Sequence, residues 1–210
     1  MQDPDSALTR PQIIADAAIR IIAREGLRAL THRATDREAG LPPGSSSYYV
    51  SKRAALLQLV GQRLAERSMV DLHRFFESLA HAEPQESRDG RVHQLARLIA
   101  DFADSLLARP DDMRARYALA MDFLEADPLS DLLSSRSPLL ADSFARAPEL
   151  LRRFGIEATP AHGREIMLLT DALTFSRTLH ASSPDLQLNV EAVVAAFLRT
   201  LPEVRRLDGV

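Results

Sequence analysis

Apolar residues recur at intervals of three and four along nearly the whole chain, and strand-like runs of alternating Val, Ile, Thr and Tyr are absent. Ile14, Ala17, Ala18, Ile21 and Ile22 make one such stripe. Leu95, Leu98, Ile99, Phe102 and Leu106 make a second, and Val190, Val193, Val194, Phe197, Leu198 and Leu201 a third. That spacing collects side chains on one face of a 3.6-residue helix, whereas a half-buried strand needs a period of two. Leucine and alanine, 32 and 31 of 210 residues, are strong helix formers, so the expected fold class is all-α. The absence of cysteine excludes disulfide staples, thiolate zinc sites and thiol catalysis, and fits a cytoplasmic location. No apolar run approaches the roughly 20 residues needed to span a bilayer, and residues 1–10 do not read as a signal peptide. No membrane partner is expected.

Capping residues and breakers divide the chain into about nine helices. Thr9 and Pro11 open the first, and Gly26 stops it. The second runs from His32 to Ala39 behind Thr31, and Gly40 ends it. Leu41-Pro42-Pro43-Gly44 is a tight turn with proline-fixed φ. A third, short helix reaches Tyr49, and a fourth extends from near Ser51 to about Leu79. Residues 81–90 read as a loop. Later helices are expected at about 91–108, 111–126, between Pro128 and Pro138, and at 139–154, 160–181 and 190–205.

The segment from Thr31 to Leu57 carries the functional signal. Two short helices joined by a glycine-containing turn, with another helix packed before them, have the geometry of a helix-turn-helix. Its second helix presents its N-terminal residues to base edges in the major groove. Ser46, Ser47 and Tyr48 are the expected base readers. Ser45, Tyr49, Lys52 and Arg53 are the expected phosphate contacts, with Thr31 and Arg33 helping from the preceding helix. Charge agrees in sign: residues 1–67 hold ten Lys or Arg against seven Asp or Glu, while the remainder holds sixteen against twenty-two. A basic head on an acidic body implies that the head meets the anion. A polar surface loop with a capping serine is the competing reading of the same spacing.

The stretch from Thr9 to Val60 resembles the DNA-binding domain of the TetR (tetracycline-repressor-like) family. The resemblance rests on Ile13-Ile14 followed by Ala17-Ala18, Glu25-Gly26-Leu27, Leu30-Thr31-His32-Arg33, Ala39-Gly40-Leu41, Pro43-Gly44-Ser45, Tyr49, and Arg53-Ala54-Ala55-Leu56-Leu57. It covers about a quarter of the chain, and no motif extends it beyond residue 90. Val50 stands where the family usually has phenylalanine, and Thr35 where it usually has a branched aliphatic residue. Both are expected in the core, at a combined cost of roughly 1–3 kcal/mol.

The resemblance implies two domains: a three-helix helix-turn-helix domain over residues 1–53, and a helical ligand-binding and dimerisation domain over 54–210. It implies a DNA-binding regulator, most simply a repressor of a palindromic double-stranded operator released by a small-molecule effector. No catalytic residues, metal or cofactor are expected. The stripes of the last two helices exceed what one small domain needs to cover, so the homodimer is expected to form through them. Phe102, Met113, Tyr117, Met121, Phe123 and Phe175 are the candidate wall of the ligand site, with Asp104, Arg116, Asp122 and Thr174 nearby to orient a ligand. Core packing is the competing account of that stripe.

Two other functions stay open at this point. A helical-bundle enzyme needs convergent acid, base or metal groups, but the six histidines show no metal spacing, and Asp101, Asp104 and Asp122 read as a solvated face. No Gly-x-Ser-x-Gly, P-loop or Rossmann fingerprint is present. A ligand-independent DNA-binding regulator would use the same head on a solid body.

Overall fold

The structure, a computed structural model, describes residues 8–122 and 138–204, and the side chains of all of these except 138–144. Among the described residues nine α-helices run in the order α1 (Arg10–Glu25), α2 (His32–Glu38), α3 (Ser45–Tyr49), α4 (Arg53–His81), α5 (Arg88–Leu107), α6 (Pro110–Asp122), α7 (Pro138–Arg153), α8 (Pro160–Leu179) and α9 (Val190–Thr200). Those residues contain no strand, only an isolated antiparallel bridge between Ile156 and Glu203. No described helix is long and apolar enough to cross a membrane. The fold class is all-α, as the periodicity predicts.

The helix starts follow local chemistry. The Gln12 side chain accepts the Thr9 N–H at 2.9 Å, closing the first turn of α1. Thr31 Oγ1 accepts from Ala34 N at 3.1 Å, Ser87 Oγ from Gly90 N at 3.0 Å, and Asn189 Oδ1 from Ala192 N at 2.9 Å. The Ser87 cap starts α5 three residues earlier than the sequence suggests. The last helix ends at Thr200 rather than near Arg205, because Pro202 disfavours helical backbone at Leu201, which is extended at ψ 146°. The expected short helix between Pro128 and Pro138 lies outside the described residues.

The described chain divides into two compact units, and the division falls inside α4, between Arg67 and Ser68. The first unit holds residues 8–67 and 110–122. Its core is Ile14, Ala18, Ile19 and Ile22 of α1, Leu30 just before α2, Leu56, Leu57, Val60 and Leu64 of α4, and Ala115 and Leu119 of α6. Thr35 is fully buried, and its hydroxyl donates to the Thr31 carbonyl at 2.9 Å, which offsets the cost of a polar group in an apolar position. Val50 is half-buried against the same core.

The second unit holds residues 68–109 and 138–204. Here α5 packs chiefly on α9, and α8 on α7 and α5. Val190, Val194, Ala195 and Leu198 of α9 are buried in the core of this unit, with Val193 and Phe197 packed at its edge. Much of the α9 stripe is thus covered by its own subunit. The Arg91 guanidinium donates to the Phe154 carbonyl at 3.0 Å and to Glu203 at 2.9 Å, tying α5 to the turn after α7 and to the C-terminal segment.

Candidate nucleic-acid interface

The reading head is built around a buried carboxylate. Asp36, near the end of α2, is 2% exposed. One of its oxygens accepts the N–H of Gly44 at 2.7 Å and the other the N–H of Ser46 at 2.7 Å. It therefore holds two of the amides that α3 leaves without intrahelical partners. Burial alone would raise its pKa, but the hydrogen bonds from Ser46 and Gly44 and the nearby His32 outweigh burial and hold it below the ordinary carboxylate value. Gly44 sits at φ +90°, a conformation that side-chain-bearing residues rarely adopt, so the turn requires glycine there. At the other end of α3, His32 Nε2 donates to the Val50 carbonyl at 2.6 Å. Both ends of the five-residue helix are fastened to α2.

The three serines divide by environment. Ser46 is fully buried, and its hydroxyl donates to the His32 carbonyl at 3.2 Å. That corrects its expected role as a base reader: it packs α3 onto α2 and presents nothing to a groove. Ser45 Oγ donates to the Pro42 carbonyl at 2.6 Å, and Ser47 Oγ to the Gly44 carbonyl at 2.8 Å; Ser47 is exposed and Ser45 half-buried. Tyr48 is 85% exposed and Tyr49 47%, and their rings meet edge to face at 5.4 Å. Thr31, Arg33, Lys52 and Arg53 are exposed. One Arg53 nitrogen is anchored on the Leu27 carbonyl at 2.7 Å.

Positive charge in the head is sorted between structural and uncommitted groups. Arg20 and Arg24 pair with Glu38, holding its carboxyl below the usual range. Arg63 and Arg67 pair with Asp16, and Arg67 also with Asp112. Among the described residues, Arg10, Arg28, Arg33, Arg37, Lys52 and Arg53 have no carboxylate partner. Arg10 shares a concave surface with Pro42, Ser45, Tyr48 and Tyr49. Sequence reasoning missed Arg10, Asp36 and His32, because their roles depend on which elements meet.

A partly open cavity of about 70 Å³ lies in the second unit. Leu72, Phe75 and Phe76 of α4 form one wall, Ile99 and Phe102 of α5 another, and Met167 of α8 faces them. Of the five expected wall residues that are described, only Phe102 lines it. Met113 and Tyr117 belong to α6 in the other unit, where Met113 is buried and Tyr117 half-buried. Met121 is 64% exposed, Phe175 on α8 is 41% exposed, and Phe123 lies outside the described residues. Asp104, Arg116, Asp122 and Thr174 do not line the cavity either, and Asp104 pairs with Arg177. The helical period placed these residues on stripes but could not say which stripes face one another.

The body decides the family. The sequence profile described as "Tetracyclin repressor-like, C-terminal domain" matches residues 90–203, more than half of the chain. The chain belongs to the TetR family. Solved structures agree over nearly its whole length. A TetR-family member from Streptomyces coelicolor A3 has a TM-score of 0.63 at 22% identity, covering 93% of this chain and 99% of its own. A transcriptional regulator from Rhodococcus sp. Rha1 has a TM-score of 0.62 at 17% identity, with coverages of 92% and 96%. The multidrug binding protein EbrR, complexed with imidazole, has a TM-score of 0.58 at 22% identity, with coverages of 93% and 97%. At such identities these likenesses show the TetR fold. No curated protein sequence matches the chain significantly. The family profile falls in the body, where motif reading found nothing to hold on to. As a TetR-family member the protein is a DNA-binding transcriptional regulator.

Proposed function

We propose that the protein is a cytoplasmic, homodimeric repressor that reads a palindromic operator with α3 and is released when a small molecule occupies the body cavity. The observation that carries the DNA-reading part is the contrast along α3. Its backbone is held by buried Asp36, while Ser47, Tyr48 and Tyr49 project from it. A pre-organised helix with exposed hydroxyls and a flat ring suits groove reading, and the cations without carboxylate partners suit the phosphates. Arg10 joins Tyr49, Lys52 and Arg53 as a phosphate contact, with Thr31 and Arg33 beside them. The domain division proposed places the head at residues 1–53 and the ligand-binding and dimerising body at 54–210.

Dimerisation is supported by α8, on which Leu168, Ala172, Phe175 and Leu179 share one exposed face at helical spacing. Together with the edge of α9 it offers a two-fold mate a four-helix contact. Effector release is supported by the cavity, and by α4, which supplies Arg53 at one end and cavity-lining Leu72, Phe75 and Phe76 further on. EbrR, similar in fold, is described as a multidrug binding protein. The modest volume of the cavity favours a second reading, a ligand-independent regulator with the same head. Retardation of DNA from around the gene, with and without cavity ligands, separates the two: release supports the sensor, and unchanged binding across the ligands supports the alternative.

A further inference from the structure

The chemistry of the body cavity limits what could serve as effector, and the limit rests on reading that cavity as the effector site. We infer that it takes an uncharged, largely hydrocarbon ligand bearing one ring, and that it excludes organic cations and anions alike.

Among the described residues, the lining contains no charged side chain. Its one hydroxyl, on Thr170, already donates to the Ile166 carbonyl at 2.7 Å. That leaves an acceptor for at most one polar group of a ligand. A charged ligand would shed its hydration and find no compensating partner, a cost that apolar contact does not repay. Five carboxylates stand next to lining residues in sequence: Glu77, Asp101, Glu165 and Asp171 are exposed to solvent, and the fifth is Asp71, beside Leu72. It is 4% exposed and paired with Arg109, so a cationic ligand would have to displace a guanidinium to reach it. Asp104, on the same helix as Phe102, is paired with Arg177.

Aromatic side chains set the preference for a ring. Phe75 packs against Phe76 and Phe102 with centroids 5.3 Å apart in both pairs, leaving ring faces and edges to meet a further ring in offset or edge-to-face geometry. Size makes the ligand regulatory. A dry cavity of about 150 Å³ accepts benzene, and this one has about 70 Å³. A ring therefore needs the lining to give: Met167, whose unbranched chain adapts readily, can turn, and Leu72, Phe75 and Phe76 of α4 are among the residues it would press on. A ligand that moves a helix discriminates between conformations, and only such a ligand can shift their populations.

The test uses the full-length protein without DNA and three probes of similar size: ethylbenzene, benzylammonium and benzoate. At a hundredfold excess over its Kd, ethylbenzene is expected to raise the melting temperature by about 5–10 °C, and the two ions to leave it within about 1 °C. Ala147→Leu, which adds bulk to the lining, is expected to abolish the ethylbenzene shift. Met167→Glu, which adds a carboxylate, is expected to create a shift with benzylammonium, and it carries the test should Ala147→Leu not fold. Stabilisation of the wild type by either ion as large as that by ethylbenzene overturns the inference, and so does no shift with ethylbenzene. DNA retardation is scored separately. Stabilisation by ethylbenzene with no change in DNA affinity would defeat the effector reading and leave the ligand class standing.

Discussion

The Asp36 carboxylate accepts the backbone N–H of Ser46 at 2.7 Å, across the turn that separates α2 from α3. A side chain of one helix thus supplies the N-terminal acceptor of the next, and the angle between the two depends on it. An asparagine side chain in its place offers one acceptor oxygen where two amides need one each, and turns an N–H₂ toward the other. Asp36→Asn is expected to lower stability by about 1–3 kcal/mol and to weaken operator binding at least tenfold, read by thermal melting and DNA retardation. Undiminished DNA affinity would show that α3 holds its place without the carboxylate.

The same group gives a pH dependence with a definite sign. Its folded-state pKa lies below the ordinary value of 3.8. Its contribution is therefore full above that value and is lost as pH falls through the folded pKa. In acid titration the wild type should lose stability below about pH 4 more steeply than Asp36→Asn. Parallel curves would remove Asp36 as a source of acid sensitivity.

The DNA-facing residues should separate into two behaviours. Arg10→Ala and Arg53→Ala are each expected to weaken binding to all sequences alike and to reduce the salt slope by roughly one unit. Tyr48→Ala is expected to cost about 1–3 kcal/mol at the operator and much less on unrelated DNA. Competition assays across salt concentrations distinguish these patterns, and a base-pair-selective loss in Arg10→Ala would move Arg10 from the phosphates into the groove.

What could be read from the sequence depended on range. Helices α1 to α3 were legible because Thr9, Thr31, Gly26 and Gly40 act within one turn of their own positions. The exposure of Tyr48 and Tyr49 followed from their place on α3. The burial of Ser46 did not, since three consecutive serines look alike until α2 packs over one of them. Residues Met113 and Tyr117 have the composition of a ligand wall, but α6 packs on α1 in the first unit, a contact between segments about 100 residues apart that no local period encodes.

The first unit also contains a shared ion pair. Arg67 reaches Asp112 on α6 and Asp16 on α1, each at 2.7 Å. Asp112→Ala leaves Arg67 with Asp16 and is expected to destabilise the protein by about 1–3 kcal/mol, measured by denaturant unfolding. A change within about 0.5 kcal/mol would mean that the pairing adds little beyond α1 and α6 packing.

Dimerisation through α8 makes a further prediction. Leu168 is 53% exposed, so Leu168→Glu should leave the subunit folded. Placed on a two-fold interface, it should convert the dimer to monomers at micromolar concentration and reduce operator affinity at least a hundredfold. Sedimentation that still shows a dimer would direct the search to another face.

Binding of the full-length protein to DNA flanking its own gene, measured at physiological salt against an unrelated fragment, tests the central claim most directly. The account predicts one or more fragments bound with a Kd of about 10⁻⁸ M or tighter, at least a thousandfold below unrelated DNA, with that preference lost in Tyr48→Ala. Equal, weak binding to every fragment by wild type and Tyr48→Ala alike would contradict it.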